Sequence, residues 1–355
     1  MTSHWRHSDV MMMPTRLRAV PATETEPVIA AHDLRRSFRK RKGWLRSGEV
    51  VEAVRGISFA VPHGTIFGML GPNGAGKTTT IKMLSTLLIP TSGTATVAGF
   101  DVVRAELAVR RQLGVLFGGD KGLYNQLSAK ENLRYFGRLY GMPDAGIRYR
   151  SDALLERVGL TDRAEERVES YSRGMKQRLH IAKTLLHDPA VVILDEPTIG
   201  LDPAAAIEVR ALIADLVPDH TVLLTTHDMH EADVLCRDIA IVDRGLIVAA
   251  GTPTDLKAAA HVDRQVVVTI ASQTPEAAQK LAAQMESLPS VTHALWEPGG
   301  DDTCTLRCSD TSATLDNALA LLREAAVAVR TIEVREPTLE DAFLAATGRE
   351  FEDVA

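Results

Sequence analysis

Residues 28 to about 61 alternate apolar and polar positions in the way short strands do. A buried-strand run follows, Thr65-Ile66-Phe67-Gly68-Met69-Leu70, then a glycine-rich turn and an amphipathic stretch over 77–88. Residues 128 to about 160 are helical in character, and 174–186 predicts a further helix. Val191-Val192-Ile193-Leu194 reads as a fully buried strand, 204–216 as helix and 221–225 as a second buried strand, with a short helix around Glu231. Asp243-Arg244-Gly245 predicts a turn joining two short closing strands. Strands that alternate with helices imply an α/β fold with a parallel sheet covered on both faces.

The pattern changes after Gly251-Thr252-Pro253, where Thr252 is placed to cap a helix with Pro253 in its first position. Beyond it come a strand over 265–270, helix 275–288, strands 291–296 and 303–307, helix 311–325, strand 328–334 and helix 339–346. That βαββαβ order plus a final helix fits a small α+β, ferredoxin-like domain. The last helix, taken as an amphipathic element, is expected to cover that small domain.

Composition narrows the function classes. Hydrophobic residues at 45% and charged residues at 24% are the balance of a globular chain, and 355 residues suggest about two domains. A net charge of −6 argues against a nucleic-acid surface. Three cysteines are too few for a disulfide framework, which points to a reducing compartment. No apolar run approaches the roughly 18 residues of a spanning helix, and the N-terminus lacks an apolar signal core, so a cytoplasmic location is expected. The Met11-Met12-Met13 cluster suggests that the first ten residues are a disordered extension or precede the true start. A basic stretch, Arg35, Arg36, Arg39, Lys40, Arg41, Lys42 and Arg46 around Trp44, suits either a solvated hairpin tip or a contact with anionic lipid or nucleic acid.

The chemistry begins at Gly71-Pro72-Asn73-Gly74-Ala75-Gly76-Lys77-Thr78, followed by Thr79, which matches G-x-x-x-x-G-K-[ST] at every fixed position. Backbone N–H groups of such a loop and the helix start behind it form an anion cradle, Lys77 reaches the β- and γ-phosphates, and the Thr78 hydroxyl binds Mg²⁺. By itself the motif says only NTPase. The second element is the strand ending in Asp195-Glu196. A carboxylate at the end of a buried strand needs a cation, which assigns Asp195 to Mg²⁺ and leaves Glu196 to orient or deprotonate the attacking water.

With these words in place the chain resembles an ATP-binding cassette (ABC) over about 28–256. Tyr171-Ser172-Arg173-Gly174-Met175-Lys176-Gln177-Arg178 is similar to the family signature, Gly200-Leu201-Asp202 to its D-loop and His227 to its switch histidine. The resemblance implies two cassettes in a homodimer around two MgATP, with Ser172 and the Gly174 N–H of one reaching the γ-phosphate on the other. It implies Asp202 on the dimer seam and His227 on the γ-phosphate, keeping Glu196 in place. Phe38 falls where the family stacks an aromatic ring on adenine, and equally suits a core aromatic of the hairpin. Two departures stand out. Gly118, after Val115-Leu116-Phe117, replaces a glutamine that ligates Mg²⁺ and reports to the membrane partner, leaving Asp120 or water to fill in. Arg173 and Met175 replace the signature's Gly and Gln.

The closing words Glu336-Pro337-Thr338-Leu339-Glu340-Asp341-Ala342-Phe343-Leu344 resemble cassettes of the daunorubicin-resistance exporter type. That implies an ATPase, peripheral on the cytoplasmic face of the cell membrane, that powers export of a drug, antibiotic or lipid-like cargo. The permease would be a separate chain of about six spanning helices. The expected division is an extension over 1–27, an ATP-binding domain over 28–256 with a helical subdomain at about 119–172, and an accessory domain over 257–355. The competing class, a soluble cassette ATPase acting on ribosomes or DNA, is supported by the basic stretch and disfavoured by the charge, and nucleic acid is not an expected partner.

Overall fold

The computed structural model describes residues 26–39, 50–118, 122–260 and 264–348. The Met11-Met12-Met13 cluster, Lys40, Arg41, Lys42, Trp44, Arg46 and Asp120 lie outside the described residues.

Strands β1 (Ile29–Arg39) and β2 (Val50–Val61) pair antiparallel and are 11 and 12 residues long, not the short strands expected. Register shifts at Ala31/Leu34, Leu34/Arg35 and Arg36/Ser37 interrupt the side-chain alternation, so one long strand reads as several pieces. β3 (Ile66–Leu70) is buried at every position, and α1 (Lys77–Leu84) follows it. The helix stops short of the expected 88 because Thr86 turns to φ 62°, in the left-handed region. β4 (Ser92–Val97), β5 (Phe100–Asp101) and α2 (Glu106–Gln112) were not foreseen, since Ser92-Gly93-Thr94-Ala95-Thr96 offers little apolar signal. β6 (Leu113–Leu116) returns the chain to the main sheet.

The helical stretch 128–160 is a pair. α3 (Ala129–Leu139) opens on a capping box in which Ser128 Oγ accepts from Glu131 N at 3.2 Å and Glu131 Oε2 accepts from Ser128 N at 2.8 Å. Gly141-Met142-Pro143 separates it from α4 (Asp144–Arg157), as a residue before proline avoids helical backbone. Then come α5 (Arg173–Leu185), β7 (Val191–Asp195), α6 (Pro203–Ala214), β8 (Thr221–Thr226), α7 (Met229–Leu235), β9 (Asp238–Asp243), β10 (Leu246–Gly251) and α8 (Pro253–Ala259).

The central sheet has the order β10-β9-β3-β8-β7-β6, parallel except for β10 at its edge, and the first antiparallel sheet the order β2-β1-β4-β5. Because strand side chains alternate, the all-apolar central strands serve two cores. Phe67, Met69, Val191 and Ile193 face the antiparallel sheet, where Phe59 stacks on Phe67 at 5.4 Å. Ile66, Leu70, Val192 and Leu194 face the opposite core, shared with Leu179, Val209 and Leu235 of the helices. Parallel register places Leu70 beside Thr226 and Asp195 beside Thr225, so the loops after β3, β7 and β8 leave one carboxyl edge together. That edge is where ligands bind in open α/β sheets.

The remaining strands, β11 (Arg264–Ala271), β12 (Val291–Glu297), β13 (Asp301–Cys308) and β14 (Val329–Arg335), form an antiparallel sheet of order β12-β13-β11-β14. α9 (Pro275–Glu286) and α10 (Thr311–Glu324) cover it around Val266, Val268, Ile270, Leu281, Leu306 and Leu322. The final helix α11 (Leu339–Thr347) corrects the expectation for the tail. It packs on α8, α7 and β10, and Leu339, Ala342 and Phe343 join Leu235 and Leu256 in the larger core. The stripe at i, i+3 and i+4 is visible in the sequence, but a stripe does not say which surface it meets. Phe343 is 1% exposed, so Phe343→Ala is expected to cost about 3–5 kcal/mol in chemical unfolding. A loss below about 1 kcal/mol would contradict this docking.

Candidate functional site

The glycine-rich loop between β3 and α1 is held from behind by the β9–β10 turn. Gly245 N donates to Ala75 O at 2.8 Å, Arg55 N donates to Gly245 O at 2.8 Å, and Ala75 N closes the loop onto Pro72 O at 3.2 Å. Gly76 has φ 112°, and a Cβ there would lie 2.7 Å from Ala53 O, so both conformation and space require glycine. The outcome is a cleft of about 110 Å³ lined by Ala53, Pro72, Gly74, Lys77, Thr78 and Glu196, among others.

Lys77 is 4% exposed. Its ammonium donates to Gly71 O and to Pro72 O at 3.2 Å and stands 3.9 Å from Glu196 Oε1. Burial pulls its pKa down, and the nearby Glu196 and Asp195 carboxylates pull it back up. A sealed cation at a loop of this shape suits a phosphate, and the open space beyond Gly74, where a Cβ would touch nothing, leaves room for one.

β7 delivers Asp195 and Glu196. Thr225 Oγ1 donates to Asp195 Oδ1, and Thr78 Oγ1 stands 3.2 Å and 3.4 Å from the two Asp195 oxygens. A hydroxyl facing a carboxylate is an all-oxygen donor set of the kind hard divalent cations take, and Mg²⁺ fits it. Glu196 N donates to Thr225 O at 2.9 Å, and its φ of 51° turns the side chain off the strand line toward the loop. Such backbone is uncommon outside glycine and gathers at functional sites. His227, at the end of β8, places Nδ1 3.4 Å from Glu196 Oε1, near enough for charge interaction though the hydrogen-bond geometry is not met.

Of the residues singled out from sequence, the loop 71–79, Asp195, Glu196 and His227 thus converge. Phe38, Ser172, Gly174 and Asp202 do not line the cleft. Phe38 is 39% exposed on β1, with the Arg36 guanidinium 4.8 Å over its ring. Ser172 caps α5 by accepting from Met175 N at 3.2 Å, and Asp202 caps α6 by accepting from Ala205 N at 3.0 Å. Gly174 lets these helix starts approach, since a Cβ would come 2.8 Å from Ala205 Cβ. Gln177 Nε2 also donates to Pro197 O at 2.6 Å. The starts of α5 and α6 therefore touch each other, and neither Ser172, Gly174 nor Asp202 lines the cleft at the phosphate loop.

Gly118 follows β6, and a Cβ on it would sit 3.3 Å from Asp195 O. Sequence reading missed the supports Thr225, Gly245 and Ala53. Thr225 carried a faint signal, a hydroxyl at the end of a buried strand with an apolar centre, while Ala53 and Gly245 act through backbone atoms and carried none.

Comparison with known proteins agrees with this geometry. The profile of a family described as "ABC transporter" matches residues 54–199. The daunorubicin resistance ATP-binding protein DrrA3 of Streptomyces coeruleorubidus is 40% identical over 299 residues, 84% of this chain and 92% of that protein. The ABC transporter ATP-binding protein NatA of Bacillus subtilis (strain 168) is 41% identical over 225 residues, 63% of this chain and 89% of that protein. The dimeric post-hydrolysis structure of the ATP-binding cassette MJ0796 with ADP and Pi superposes with a TM-score of 0.56 at 22% identity, covering 63% of this chain and 98% of that one.

Proposed function

This chain belongs to the ABC transporter family as an ATP-binding ATPase subunit of the daunorubicin-resistance type, and from that premise we propose that it dimerises around two MgATP and powers an exporter permease. The observation that carries the reading is the convergence of the phosphate loop, Asp195, Glu196 and His227 at one sheet edge.

In this reading the loop amides and Lys77 bind the phosphates. Thr78 and Asp195 hold Mg²⁺, which supplies neutralisation of phosphate charge. Glu196 accepts the proton of the attacking water, and His227 orients Glu196 and contacts the γ-phosphate. Phe38 stacks on the adenine, its exposed ring being available to do so. Ser172, Gly174 and Asp202 serve the partner cassette, and their absence from the lining of this chain's own cleft supports that role. Gly118 bears no side chain, so it would offer no ligand to Mg²⁺, and Asp120 or water would fill in. The description of the DrrA3 relative as a daunorubicin resistance protein supports export of a drug, antibiotic or lipid-like cargo.

Residues 28–256 form the cassette in this proposal, with a helical subdomain at about 119–172, and 257–355 an accessory domain. The order β12-β13-β11-β14 and its two covering helices support a ferredoxin-like assignment for the latter. No helix among the described residues is long and apolar enough to cross a membrane, so the membrane path is assigned to a separate permease of about six spanning helices, with this subunit on the cytoplasmic face.

Pull-down of the tagged chain from detergent-solubilised native membranes tests the assembly. A stoichiometric polytopic membrane protein is the expected result. Ribosomal proteins or DNA-bound factors without any membrane protein would overturn the transporter reading.

A further inference from the structure

Glu231 lies in the first turn of α7, four positions beyond His227, and is fully buried. None of the roles above uses it. Its Oε1 accepts from Thr198 Oγ1 at 2.8 Å. Thr198 belongs to the loop that begins at Glu196 and ends at Asp202. The Glu231 backbone N–H donates to Asp228 Oδ1 at 3.1 Å, and Asp228 N donates to Thr226 Oγ1 at 2.9 Å. Arg210 of α6 comes within 3.6 Å of Asp228 Oδ2. Three elements thus meet in one polar knot: the loop after β7, the turn from β8 into α7, and α6.

Burial pushes the Glu231 carboxyl up, and Asp228 adds to this, while the hydroxyls of Thr226 and Thr198 and the Arg210 charge pull it back. An apolar side chain of similar volume would fill the same space without that desolvation cost. The carboxyl is therefore expensive filler, and Thr198, which donates to it, sits two positions past Glu196.

We propose that Glu231 is a positioning residue of the ATPase site, which through the Thr198 hydroxyl ties the helix behind His227 to the loop between Glu196 and Asp202. His227 and Glu196 arrive on different strands, and this tie keeps their facing atoms in register. The inference rests on the assignment of Glu196 and His227 made above.

Steady-state hydrolysis of MgATP by the purified full-length chain tests it, with thermal melts run beside each variant. Glu231→Leu and Thr198→Val are each expected to lower kcat about tenfold while KM for ATP stays within about twofold. The double variant falls no further than either single one, because both remove the same contact. Glu231→Gln, which keeps an acceptor for Thr198, stays within about threefold of wild type. Unchanged kcat in both single variants, additive losses, a rise in KM at constant kcat, or equal damage from Glu231→Gln would each overturn the proposal. Should Glu231→Leu fail to fold, Thr198→Val and Glu231→Gln decide by the same criteria. A wild-type chain that hydrolyses no ATP would instead refute the underlying reading of the site.

Discussion

Lys77→Ala is expected to abolish measurable ATP binding, and all hydrolysis with it. Its ammonium is 4% exposed and is the cation that the loop geometry presents to the phosphates. Removing one partner of a buried, hydrogen-bonded charge pair costs about 3–5 kcal/mol, roughly a hundredfold to several-thousandfold in Kd. The folded state should tolerate the change, since burial already works against this charge and its loss removes two loop carbonyl contacts and a 3.9 Å contact with Glu196. Titration calorimetry with ATP, alongside a thermal melt, separates the two effects. An unchanged Kd in a folded variant would refute the phosphate-loop assignment.

Glu196→Gln has the second large expected effect, and it acts on the chemical step. The amide keeps the shape that faces His227 Nδ1 at 3.4 Å and Lys77 Nζ at 3.9 Å but cannot accept a proton from water. General-base contributions run to about 10²–10⁴ in rate, so kcat should fall by that order while the phosphate contacts remain. Binding without hydrolysis leaves the ATP-bound dimer with no exit, so sizing in saturating MgATP should show a stable dimer. A variant that elutes as a monomer there would remove the support for a two-chain site.

Local elements of this chain were legible because their signals are local. The phosphate loop is a contiguous motif, and strands such as 191–194 and 221–225 have apolar centres and are buried throughout because both their faces are covered. Helix starts at Ser128, Ser172, Asp202 and Thr252 announce themselves through side chains that cap their own backbone. Where the signal was interrupted the reading blurred, as at the register shifts of β1 and the small polar residues of β4.

The sequence by itself thus determined the α/β class, the order of the elements other than β4, β5 and α2, and the candidate residues of the loop 71–79, Asp195 and Glu196, with His227 added by the family resemblance. Only the tertiary structure decided that Gly245 and Ala53 support the loop, that Thr225 steadies Asp195, that Glu231 reaches Thr198, and that α11 docks on α7 and α8. The division has a physical cause. Capping, alternation and glycine geometry act within a few residues, so composition and spacing record them. Contacts between strands far apart in sequence depend on the register and order of the sheet, which no stretch of the chain encodes alone.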